Sequence, residues 1–134
     1  MADNFQLEIV TPEKLVVRDT TDEVQIPGRD GYIGVRPGHA PLITELGAGE
    51  ISYRSDGQLH RFSMAWGFAE VLPDKVTVLA ETVERASEID INRAQQSLKQ
   101  GEDSMRSAQT EEDFAIAQSK IERAQARIEV AEKK

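Results

Sequence analysis

The sequence predicts a β + α chain, with short strands first and an antiparallel two-helix hairpin last, and three observations point to it. In short segments within 5–82 apolar residues alternate singly with other residues, and from Ser87 onward they recur in steps of three and four. Turn chemistry at Pro27-Gly28, Pro37-Gly38, Ser55-Asp56-Gly57 and Pro73-Asp74 punctuates the first part. Aromatics make up 5% of the chain and Phe114 alone lies beyond residue 70, so the second part must pack with small aliphatic side chains. Many short strands with frequent turns imply a β-sandwich or barrel, and neither strand length nor register decides between the two.

In chain order, Phe5, Leu7 and Ile9 alternate with Gln6 and Glu8, and Val24 and Ile26 flank Gln25. The run Gly31-Tyr32-Ile33-Gly34-Val35-Arg36-Pro37-Gly38-His39-Ala40-Pro41-Leu42 is too rich in backbone specialists for an ordinary strand connection. Each proline locks its own φ and pushes Arg36 or Ala40 towards extended geometry, which predicts a fixed loop. Ile33, Val35 and Leu42 are expected to anchor that loop and to leave Arg36 and His39 displayed outside, an arrangement suited to contact rather than catalysis. Asp56-Gly57 between Ile51-Ser52-Tyr53 and Leu59-His60-Arg61-Phe62 reads as a hairpin turn. Val76, Val78 and Ala80 then alternate with Thr77 and Leu79.

After Asp90 the apolar steps link Ile91, Ala94, Leu98, Gly101, Met105 and Ala108, and after Thr110 they link Phe114, Ala117, Ile121, Ala124, Ile128 and Ala131. Each helix thus carries one narrow apolar seam. Thr110 with Asp113 resembles a capping box, which starts the second helix near Glu111, makes the joint tight and forces an antiparallel hairpin. In one constant register Ile91 then faces Ile128, Leu98 faces Ile121 and Met105 faces Phe114, while Ala94 meets Ala124 and Gly101 meets Ala117. The predicted division is a sandwich or barrel over 1–84 and a hairpin over 87–134, held weakly enough to undock.

Composition excludes several functions. Hydrophobic residues at 39% suffice for a modest core, and the absence of cysteine removes disulfides, thiolate metal sites and thiol catalysis. Of the 16 basic and 24 acidic groups, nine and ten fall in 85–134, so the first part carries −7 of the net −8. That field repels phosphate backbones and anionic lipid, so nucleic acid and membrane surfaces are not expected partners. No signal sequence, transit peptide or membrane-length apolar run is present, which predicts a soluble protein without direct membrane insertion. His39 and His60 lack metal-ligand spacing, and neither a Gly-x-Ser-x-Gly elbow nor a phosphate-binding Gly-x-x-x-x-Gly-Lys occurs, so a noncatalytic protein is expected. One helix face does carry chemistry. Lys120, Arg123 and Arg127 lie three and four residues apart with no acidic neighbour at those spacings, a stripe suited to an acidic protein surface or a phosphate chain as well as to plain solvation.

The Gly31–Leu42 run also resembles the loop Gly-Glu-(Leu or Ile)-Gly-(Ile or Val)-x-Pro-Gly-His-x-Pro-Leu of the epsilon subunit of rotary F-type ATP synthases. Phe68-Ala69-Glu70-Val71 followed by Pro73-Asp74-Lys75-Val76-Thr77-Val78-Leu79-Ala80 is similar to that family's next landmark, so the resemblance spans essentially the whole chain. Two departures stand out. Trp66-Gly67 occupies a place where the family usually has two glycines, and Tyr32 replaces a usual glutamate, so an electrostatic contact there must be rebuilt from a phenol hydroxyl or from Asp30.

The resemblance implies a flattened sandwich. It further implies a noncatalytic rotor subunit of the central stalk, coupling rotation to ATP synthesis and restraining ATP hydrolysis through its C-terminal helices. The implied partners are the stalk gamma subunit, the membrane c-ring and the catalytic beta subunits, on the cytoplasmic face of the bacterial inner membrane. Tyr32, Arg36 and His39 are the implied stalk or ring contacts, and Lys120, Arg123 and Arg127 the implied inhibitory contacts. No cofactor is required, but Ile89-Asp90-Ile91-Asn92-Arg93-Ala94 matches the (Ile or Leu)-Asp-x-x-Arg-Ala motif by which some bacterial epsilon subunits bind regulatory ATP. Arg123 and Arg127 fall where those proteins place two further arginines. The hairpin register sets Arg93 level with about residue 126, between them, while Asp90 could serve either the nucleotide or the helix cap. The alternative is an unrelated sandwich-plus-hairpin adaptor; a small metal-dependent lyase is a third class that two histidines support poorly.

Overall fold

The computed structural model describes residues 3–133. Eight strands precede two helices: β1 (Phe5–Val10), β2 (Leu15–Thr21), β3 (Val24–Gly28), β4 (Gly31–Val35), β5 (Leu42–Leu46), β6 (Gly49–Ser55), β7 (Gln58–Leu72), β8 (Lys75–Arg85), α1 (Ile91–Ser107) and α2 (Glu111–Glu132), with a single 3₁₀ turn, Ala86–Glu88, before α1. The strands form a β-sandwich. Its path runs β2-β1-β8-β7-β5-β3-β4, with β6 bridging β3 and β7, and β1 beside β8 is the parallel pair. The inward residues predicted from alternation do form the core: Leu7, Ile9, Ile26, Val76 and Val78 are fully buried, and Phe62 and Met64 of β7 join them.

The 15-residue β7 organises the fold. Its residues 58–64 pair with β6, residues 67–71 pair with β5, and its other edge follows β8 from Phe62 to Leu72. The change of partner falls at Trp66-Gly67. Trp66 adopts a left-handed φ of 60° and its N–H donates to the Gly47 carbonyl at 3.2 Å. A Cβ on Gly67 would lie 1.9 Å from the Leu79 carbonyl oxygen, so the close backbone approach falls on the glycine this chain retains. Trp66 needs only the left-handed conformation, which costs an L residue about 1–2 kcal/mol but is not sterically closed.

Two expectations for the first part need correction. Gly31–Val35 is a strand, paired with β3 through Gly28↔Gly31 to Val24↔Val35, and Pro27-Gly28 ends β3, with the turn itself at Arg29-Asp30. The fixed loop therefore shrinks to residues 36–41, because the apolar Ile33 and Val35 alternate on a strand and pack inward. Leu42 does not anchor it, being 37% exposed. Asp56 and Gly57 have φ of 51° and 75°, the two left-handed residues that the β6–β7 hairpin turn requires.

Both helices begin at the predicted caps. Asp90 Oδ1 accepts from the Arg93 N–H at 3.1 Å, and Thr110 Oγ1 accepts from the Asp113 N–H at 3.0 Å, each worth about 1 kcal/mol. The joint is residues 108–110, and α1 and α2 pack antiparallel. Gly101 sets their separation. A Cβ there would stand 2.8 Å from Ile121 Cγ1 and 3.5 Å from the Ala117 carbonyl. At that distance only small side chains fit the contact, so Ala94, Gly101, Ala117 and Ala124 are buried while Leu98, Met105, Ile121 and Ile128 are half-buried at its flanks and Phe114 is 47% exposed. The single-seam expectation for α2 is also corrected: Ala126 and Val130 form a second buried stripe, and α2 rests on β7 and β6. Among the described residues no helix is long and apolar enough to cross a membrane.

Candidate functional site

Where the hairpin rests on the sandwich it leaves a cleft of about 450 Å³, lined by Arg93 and Ser97 of α1, Lys120, Arg123 and Arg127 of α2, Thr82 and Glu84 of β8, and Ser63 of β7. Helix geometry explains the convergence. Arg93 and Ser97 are one turn apart on α1, and Lys120, Arg123 and Arg127 share one face of α2. The close crossing at Gly101 brings those two faces to opposite sides of one space. Its volume lies within the usual range for small-molecule sites.

The charge balance is lopsided. Four cationic side chains meet one carboxylate, Glu84, whose Oε1 accepts from Arg127 Nε at 2.9 Å. Lys120 Nζ donates to Gln100 Oε1 at 3.0 Å, a neutral partner. Among the described residues the side chains of Arg93 and Arg123 have no ion-pair partner. Two planar guanidiniums without carboxylate partners, Arg93 and Arg123, with hydroxyls of Ser63, Thr82 and Ser97 nearby, form a chemical environment suited to a phosphate chain.

The structure separates the members of the predicted motif. Arg93, Arg123, Arg127 and Lys120 come together at the cleft. Ala94 is fully buried in the helix packing, Ile89 is half-buried at the end of the 3₁₀ turn, and the Asp90 side chain serves as the α1 cap. Glu84, Ser63 and Thr82 were missed, because they lie on strands and nothing in their local pattern marks them as facing a helix pair.

The other predicted contacts lie elsewhere. Tyr32 is 60% exposed, but its hydroxyl accepts from the Glu50 N–H at 3.0 Å and borders a groove beneath α2. The phenol oxygen is thus engaged within the molecule, whereas Asp30 and Arg36 are exposed. Arg36 reaches Glu23 at 3.4 Å. His39 is half-buried rather than displayed: its Nδ1 lies 2.7 Å from the Ala40 carbonyl, and the Gly38 N–H donates to the Pro73 carbonyl at 2.8 Å, which ties residues 36–41 to the β7–β8 turn.

Comparison with known proteins places this architecture. Residues 4–86 match the family described as "ATP synthase, Delta/Epsilon chain, beta-sandwich domain", and residues 87–132 match "ATP synthase, Delta/Epsilon chain, long alpha-helix domain". The chain belongs to the ATP synthase delta/epsilon chain family. Among its relatives, the ATP synthase epsilon chain of Koribacter versatilis is 62% identical over 102 residues, covering 76% of this chain and 72% of that one. That of Geotalea daltonii is 42% identical over 134 residues, covering 99% and 97%. A chain in the Euglena gracilis mitochondrial ATP synthase structure of OSCP, F1 and c-ring shares the fold with a TM-score of 0.83 at 16% identity, covering 94% of this chain and 80% of that one. A chain in the Tetrahymena thermophila mitochondrial ATP synthase central stalk and c-ring structure gives 0.72 at 10%, covering 95% and 96%.

Proposed function

We propose that this chain is a noncatalytic rotor subunit of a bacterial ATP synthase, peripheral on the cytoplasmic face of the inner membrane, whose hairpin binds ATP when docked and restrains ATP hydrolysis when released. The observation that carries the reading is the convergence of Arg93, Arg123 and Arg127 with Lys120 on one cleft between hairpin and sandwich. In the docked arrangement these cations face that space. Released, the same α2 stripe is free to meet acidic surfaces of catalytic beta subunits, so nucleotide and inhibitory contact compete for one set of side chains. ATP then shifts the balance by its differential affinity for the docked state.

The sandwich supplies the coupling contacts in this reading. Exposed Asp30 and Arg36, with His39 held on the braced loop 36–41, face the stalk gamma subunit and the c-ring. Family membership supports the assignment over an unrelated adaptor. Calorimetric titration of the isolated chain with ATP tests the nucleotide part. Saturable binding is expected, and Arg123→Ala with Arg127→Ala should abolish it; absence of saturation at millimolar ATP, or equal binding by the double variant, would contradict it.

A further inference from the structure

Beside the cleft, further along α2, the C-terminal end of that helix meets a side chain that no helical pattern contains. Arg61 of β7 donates from Nη1 to the Lys133 carbonyl at 2.6 Å and from Nη2 to the Val130 carbonyl at 2.9 Å. The same Nη2 lies 2.8 Å from Glu50 Oε1 of β6, and Lys133 Nζ stands 3.7 Å from that oxygen. The Arg61 and Glu50 side chains are only 15% and 16% exposed, so the pair is shielded from water.

The last carbonyls of any α-helix lack intrahelical partners and carry the negative end of its dipole. α2 has no basic residue of its own in its last turn, so a strand supplies the capping cation. The two terminal nitrogens of one guanidinium reach two carbonyls and a carboxylate together in a fixed planar fork, whereas an ammonium presents its donors from a single nitrogen. The contact closes only when α2 lies on the sandwich.

We propose that Arg61, held by Glu50, is a clasp that sets how often the hairpin undocks, through side chains that do not themselves line the nucleotide cleft. Its effect on docking stands independently of the proposed function; its effect on hydrolysis rests on that reading. Removing the clasp leaves two helix-end carbonyls and the Glu50 carboxylate without their shared donor while leaving Arg93, Arg123 and Arg127 unchanged.

The experiment is hydrogen exchange on the full-length chain, comparing Arg61→Met and Arg61→Lys with the parent. In Arg61→Met the α2 amides at 124–130 should exchange roughly 10- to 100-fold faster, with β1 and β8 amides unchanged, and Arg61→Lys should fall between. Equal α2 protection in Arg61→Met and the parent would overturn the proposal. Should Arg61→Met fail to fold, Glu50→Gln serves in its place: faster exchange confined to α2 supports the clasp, and parental protection overturns it. In the assembled synthase, Arg61→Met should slow ATP hydrolysis by favouring the released hairpin. If deleting 87–134 leaves hydrolysis unchanged, the regulatory reading fails while the exchange result still decides the clasp.

Discussion

Gly67→Ala tests the bend of β7 that hands the strand from β6 to β5. The new Cβ would sit 1.9 Å from the Leu79 carbonyl oxygen and 3.0 Å from the Ala80 Cα, both backbone, so no side-chain rotamer can relieve it. Ordinary contact requires β7 and β8 to part locally by about 1.5 Å, which breaks the ladder around Gly67↔Ala80 and Phe68↔Leu79. Overpacking of about 1–3 kcal/mol plus one or two ladder hydrogen bonds at about 1 kcal/mol each gives roughly 2–5 kcal/mol. A domain of this size holds about 5–15 kcal/mol in total, so the loss is a large share of it. Trp66→Gly is the comparison, because it removes a left-handed penalty of about 1–2 kcal/mol at the loss of a half-buried indole and should stay within about 1 kcal/mol of the parent. Urea unfolding followed by circular dichroism measures both. A Gly67→Ala protein within about 1 kcal/mol of the parent would refute the close-approach argument.

Three further outcomes follow from the same geometry. Gly101→Leu should loosen the hairpin by about 1–3 kcal/mol, because it forces apart helices separated by a glycine, and exchange should rise in α1 and α2 but not in the sandwich. Burial, and then the hydrogen bond to Asp19, push the Tyr53 phenol up to about 12. Its folded pKa exceeds its unfolded one, so its stabilising contribution is full below pH 10, is lost as pH rises through 12, and should be absent from the alkaline unfolding profile of Tyr53→Phe. Charge reversal at Lys120 and Arg123 together should raise the ATPase rate of the assembled enzyme at low salt and converge with the parent at high salt; an unchanged rate would remove the stripe from the inhibitory contact.

Local rules carried much of the architecture. Alternation located β1, β3 and β8, Asp56-Gly57 located a hairpin, and Asp90 and Thr110 located both helix starts. Each of these signals lies within a few residues of the structure it determines. What stayed hidden depends on distant partners. A 15-residue strand shared between two neighbours reads locally as two ordinary strands, and the bend at Trp66-Gly67 shows only as one glycine. The second stripe of α2, Ala126 and Val130, is too short and too small to stand out as a face until the sandwich is placed beneath it. At the site, the helix-borne cations were legible because their spacing and the hairpin register are local facts. Glu84 meets Arg127 across 43 residues of chain, and Arg61 meets Val130 across 69, so neither had a nearby signal.

ATP hydrolysis by the assembled synthase, measured with the intact chain and with 87–134 deleted, bears most directly on the claim that the sandwich couples and the hairpin restrains. The truncated complex should still pump protons and should hydrolyse ATP faster than the intact one. A truncated complex that loses stalk attachment, or hydrolyses ATP no faster than the intact enzyme, would contradict that claim.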